Sequence, residues 1–104
     1  MAKLVVIYKT PKDRVAFDKY YFETHVPIAK KIPGLRRYEV SDGGVGSPAG
    51  DSGYHLIATL DFDDMAAIGA AFASPEGQAA AADVQVFAPG EGAVEMLVFE
   101  SRVV

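Results

Sequence analysis

The chain has 104 residues, half of them hydrophobic, a formal net charge of −4 at neutral pH and no cysteine. Such a length suits one domain spanning residues 1–104, and so apolar a composition argues against disorder. Without cysteine there are no disulfides, thiolate nucleophiles or cysteine-ligated metal centres, and the acidic balance argues against nucleic acid as a partner.

Residues 3–9, "KLVVIYK", read as a strand rich in β-branched residues. The apolar run at 4–8 is too short for a signal-peptide core or a membrane span, so the expected location is the cytoplasm, with no membrane partner. Thr10 and Pro11 suit a helix start. Val15, Phe17, Tyr20, Tyr21 and Thr24 then fall largely on one helical side. Pro27 disfavours helical backbone at Val26, so the helix is expected to bend or restart near His25, and Pro33-Gly34 ends it.

Residues 35–42 read as a second strand, the glycine-rich 42–53 as a loop, and "YHLIATLDF" at 54–62 as a third strand. Asp63 is placed to cap a helix holding Met65, Ile68 and Phe72. Ser74-Pro75-Glu76 restarts that helix as far as about Phe87. Pro89-Gly90 closes it, and "AVEMLVFESRVV" at 93–104 reads as the last strand.

The order β-α-β-β-α-β is that of a ferredoxin-like α+β fold, a four-stranded antiparallel sheet with its helices on one face. Yet both faces of the strands carry apolar groups: Leu4, Val6 and Tyr8 against Val5 and Ile7, and Leu97 and Phe99 against Met96 and Val98. A half-covered antiparallel sheet normally turns polar residues to water. The expectation is a homodimer in which a second copy covers the open face.

The stretches "YYFETHVPIAKKIPGLRRY", "YHLIATLDFDD", "SPEGQAAAADVQVF" and "MLVFES" together resemble the EthD family of dimeric α+β barrels, essentially end to end. That family is named for a protein encoded with a cytochrome P450 system that degrades ethyl tert-butyl ether. Related barrels include lactone isomerases, polyketide cyclases, cofactor-independent monooxygenases and haem proteins, so the resemblance implies a fold more firmly than a chemistry.

His25 is the leading catalytic candidate, because imidazole moves protons near neutral pH. The resemblance supports it, since the family's His-x-Pro matches His25-Val26-Pro27. The alternative is a histidine that ties off a backbone carbonyl at the bend. Tyr21, one turn earlier, and Tyr38, on the second strand, are the expected partners that would position a substrate oxygen. His55 alternates with Leu56 and is expected to share a strand face with Ile57 and Thr59. Related lactone isomerases make it a candidate ligand contact, and a half-wet strand start is the alternative. Asp83, one turn before Phe87, either orients a histidine, caps a turn or meets solvent. Tyr20 and Phe87 complete the expected ligand contacts, with core packing as the plainer role for such aromatics.

"KKIPGLRR" suits a solvated helix end better than an anion site, and "GGVGSPAG" opens no helix and so is no dinucleotide fingerprint. No close-spaced metal ligands occur, so no metal, haem or other cofactor is expected. Two functions remain in view. One is a cofactor-independent acid–base enzyme, of isomerase, cyclase, decarboxylase or monooxygenase type, acting on a small apolar carbonyl or aromatic compound. The other is a non-catalytic ligand-binding or accessory protein in oxygenase-dependent xenobiotic catabolism such as ether degradation.

Overall fold

The computed structural model describes residues 1–104. Its main elements are β1 (Ala2–Lys9), α1 (Arg14–Tyr20), a π-helical turn (Tyr21–His25), α2 (Val26–Ala29) and β2 (Arg37–Val40). A two-strand hairpin follows, β3 (Gly46–Ser47) and β4 (Gly50–Asp51), inside the glycine-rich stretch. Then come β5 (Tyr54–Phe62), α3 (Met65–Ala73), α4 (Pro75–Phe87) and β6 (Val94–Glu100). The four long strands form one sheet in the order β2-β5-β1-β6, and every neighbouring pair is antiparallel. This is the ferredoxin-like α+β arrangement that the element order predicts.

The alternation in β1 fixes which face meets the helices. Ala2, Leu4, Val6 and Tyr8 are buried, and their sheet partners Leu56, Ala58, Leu60 and Phe62 are buried beside them. Phe17, Tyr21, Ile68, Ala80 and Val84 close the core from the helical side. Phe62 is fully buried, which contributes roughly 1.5–3 kcal/mol. Between α3 and α4, Ser74 accepts a hydrogen bond from the Gly77 amide as predicted for a cap. Gly77 is required there, because a Cβ would sit 2.0 Å from the Ala71 carbonyl oxygen.

Three local expectations change. The N-cap of α1 is Asp13, which accepts from the Ala16 amide, so Thr10 stays outside the helix and donates to Gly53 O. Asp64, one residue later than expected, caps α3 through the Ala67 amide. Its neighbour Asp63 instead takes a two-bond ion pair from Arg36. Val26 keeps right-handed helical backbone although a proline follows it. The helix does not break there; it widens. The Val26 amide reaches back five residues to Tyr21 O, and the wider turn relieves the clash that a proline ring makes with the carbonyl four residues earlier.

On the face away from the helices, Val5 stands opposite Leu97, and Ile7 opposite Ile57. Leu97 is 55% and Phe99 42% exposed, so that face is as apolar as the sequence indicates. Its polar groups pair among themselves, Lys3 with Asp61 and Arg37 with Glu39.

Candidate functional site

The π turn decides where the chemistry sits. Within it Tyr21 and His25 are both buried, with ring centroids 5.2 Å apart, and both line a cavity of about 240 Å³ between the helices and the sheet. Tyr8 from β1 and Tyr38 from β2 line the same cavity, with aliphatic groups from β1, β5, α3 and α4. Half-exposed Met96 and Val98 of β6 form its open side. Of the 17 lining residues 16 are hydrophobic, tyrosines included, and His25 is the exception.

Asp83 of α4 takes hold of His25. Its Oδ2 lies 2.9 Å from His25 Nδ1, and its Oδ1 accepts a 2.6 Å hydrogen bond from the Tyr20 hydroxyl. An ionised carboxylate only accepts, so Nδ1 carries the proton, and in the neutral ring Nε2 keeps its lone pair. Nε2 makes no hydrogen bond within the protein and is not sealed from solvent; it belongs to the ring that lines the cavity. Burial pushes the His25 imidazole below its ordinary pKa, and Asp83 works against that shift through its hydrogen bond and charge. Burial dominates. The ring therefore stays neutral and basic at neutral pH.

The Tyr21 and Tyr38 hydroxyls are 2.6 Å apart. Burial raises the Tyr21 phenol well above the ordinary tyrosine value and raises that of Tyr38 as well, so both keep their protons. Whichever donates to the other, the accepting tyrosine still has its own proton to give. A neutral base and a proton-bearing hydroxyl pair thus face one apolar space. That combination can take a proton from a carbon or oxygen and hold the charge left behind.

The remaining candidates fall elsewhere. Tyr20 and Phe87 do not line this cavity. They border a separate cleft between the start of α1 and the end of α4, and Phe87 backs the site by packing its ring 4.7 Å from that of His25. His55 lines neither of them. The β1–β5 register slips between Tyr8 and Lys9, leaving His55 as an extra residue in β5. This bulge turns the ring onto Phe17 and Asp18 of α1, where Nε2 lies 2.7 Å from Asp18 Oδ1. His55 therefore leaves the face of Ile57 and Thr59 that strict alternation assigned to it. No group of three or more His, Cys, Asp or Glu side chains is placed to hold a metal ion.

Tyr8 is not among the site residues expected from the sequence, yet it lines the cavity. Its one signal was a phenol among aliphatic strand residues, whose hydroxyl must end at a polar group or a cavity.

The EthD domain model matches residues 9–91. An uncharacterised 11.0 kDa protein in the thcB-thcC intergenic region of Rhodococcus erythropolis is 45% identical over 92 residues, 86% of each chain. Among solved structures, an ethyl tert-butyl ether degradation (EthD) family protein from Bacillus halodurans is 36% identical. It superposes with a TM-score of 0.88 over 98% of this chain and 99% of its own. SnoaB, a cofactor-independent oxygenase from Streptomyces nogalater, shares the fold at 16% identity, TM-score 0.67, covering 99% and 94% of the two chains. The chain belongs to the EthD domain family.

Proposed function

We propose that this protein is a cofactor-independent acid–base enzyme acting on a small apolar carbonyl or aromatic compound, with His25 as the proton-transfer residue. One observation carries this reading: His25 is held at Nδ1 by Asp83, its Nε2 has no partner in the protein, and the residue lines a cavity otherwise made of aliphatic and aromatic side chains. Asp83 fixes the tautomer and supports the imidazolium that forms when Nε2 takes a proton, the logic of a base backed by an acid. Tyr21 and Tyr38 hold the oxygen that gains charge. The cavity volume lies below that of drug-sized sites, which restricts the ligand to a small molecule. The fold shared with a cofactor-independent oxygenase is compatible with proton abstraction as the opening step.

The test is turnover of a panel of small aromatic ketones and lactones by the native protein and by His25→Ala. Loss of turnover in the variant, with ligand affinity largely kept, supports the reading. Saturable binding with no turnover in the native protein would establish an accessory ligand-binding role instead. The apolar sheet face carrying Val5, Ile7, Leu97 and Phe99 supports a homodimer closed across it. Sedimentation of the native protein and of Leu97→Lys checks that: a dimer that the lysine splits is expected, and a native monomer at micromolar concentration overturns it.

A further inference from the structure

Tyr8 is 1% exposed, yet its hydroxyl has no hydrogen-bond partner in the protein and is not sealed off. Its ring is pinned by Phe17, Tyr21 and Phe87, all at centroid distances between 5.5 and 5.6 Å. The phenol lines the cavity beside Tyr21, Tyr38 and His25. The protein thus leaves the bonding capacity of this hydroxyl to whatever occupies the cavity, water or a ligand that carries an acceptor. The free donors around the cavity are then two, Tyr8 and one proton of the Tyr21–Tyr38 pair, and a carbonyl oxygen accepts two hydrogen bonds. The acceptor is one, His25 Nε2. No lysine or arginine lines the cavity, so a carboxylate would lie there with no cation against it, a strongly unfavourable arrangement.

We propose that Tyr8 is a substrate-contacting residue and that the cavity selects an uncharged, enolisable ketone, its oxygen held between the Tyr8 hydroxyl and the Tyr21–Tyr38 pair. In the step this permits, the bond between the α-carbon and its hydrogen breaks and the proton moves to His25 Nε2. The electron pair shifts to the carbonyl oxygen, giving an enolate under two donors. Return of the proton to the same or another carbon restores the balance, and no co-reactant is consumed. The role of His25 rests on the function proposed above; the assignment of Tyr8 and the preference for uncharged ligands stand on binding alone.

The experiment compares 2-tetralone, tetralin and 2-naphthoate by calorimetric titration of the native protein and of Tyr8→Phe, with thermal melts of both. The native protein is expected to bind 2-tetralone saturably and more tightly than either of the other two. Tyr8→Phe keeps the ring, so it should melt no lower than the native protein. It should bind 2-tetralone roughly three- to tenfold more weakly, the loss of one hydrogen bond, with tetralin affinity unchanged. The proposal is overturned if native protein does not bind 2-tetralone, if 2-naphthoate binds as well, or if Tyr8→Phe leaves 2-tetralone affinity intact. It is also overturned if tetralin loses affinity by the same factor, since that would be a packing effect. Deuterium exchange at the α-carbon of 2-tetralone, followed in native protein and His25→Gln, isolates the other reading. Exchange undiminished by the glutamine removes His25 as the base and leaves the binding result for Tyr8 untouched.

Discussion

Each of the two histidines sits against one aspartate, His25 on Asp83 at 2.9 Å and His55 on Asp18 at 2.7 Å. The contacts are nearly alike and their surroundings are not. The His25 pair lies inside the protein, with side-chain exposures of 6% and 11%, and opens onto the apolar cavity. The His55 pair lies at the sheet margin with Asp18 half in water. Solvent screens that second pair and weakens whatever it could do to a substrate. A histidine–carboxylate contact is therefore no signature of catalysis. What distinguishes the His25 pair, on the function proposed above, is a buried carboxylate and a second ring nitrogen left without a protein partner.

The comparison breaks most directly through rates. His25→Ala is expected to lower kcat/KM by about 10²–10⁴-fold, the usual contribution of a positioned general base. His55→Ala should leave it within about twofold if His55 serves structure. Steady-state kinetics on whichever ketone the native protein turns over decides between them, and equal losses would erase the difference between the two pairs.

The next effect is in pH. Burial lowers the His25 pKa, so the acid limb of kcat/KM should fall below the ordinary histidine value of about 6.5, with the neutral base active above it. The stability sign follows from proton counting: between the folded and unfolded values the unfolded chain binds more protons. His25 thus contributes stability that is present above about 6.5 and lost as pH falls through the folded value. Asp83→Asn removes the group that opposes burial, so it should move the acid limb lower still. An imidazole NMR titration reads both shifts, and an upward shift in the asparagine variant would contradict the electrostatic account.

Smaller effects sharpen the picture. Tyr38→Phe deletes the bond to Tyr21 and should cost about 0.5–1.5 kcal/mol in denaturant unfolding. A larger loss would mean that the hydroxyl pair is chiefly structural. Asp18→Asn, at the half-exposed pair, should change stability by no more than about 0.5 kcal/mol. A loss above 1 kcal/mol would show that the bulge depends on that contact.

Much of this protein is set by its sequence alone. The strand–helix order, the Ser74 cap and the apolar second face of the sheet follow from short-range rules: alternation every two residues, helical spacing, and the backbone limits of proline and glycine. The same rules brought His25, Tyr21, Tyr38 and Asp83 to notice, because those residue types carry the relevant chemistry. Four features were decided only by the folded chain. Pro27 widens the helix into a π turn, where local preference at Val26 pointed to a break. A one-residue bulge sends His55 to the helix-facing side of the sheet, away from Ile57 and Thr59. Asp83 meets His25 across 58 residues of chain, and Tyr8 leaves its hydroxyl in a cavity that four strands and the helices must assemble before it exists. Periodicity assigns a residue to a face. Which groups meet across that face depends on long-range packing, and so does the solvent exposure that decides whether a base is a catalyst.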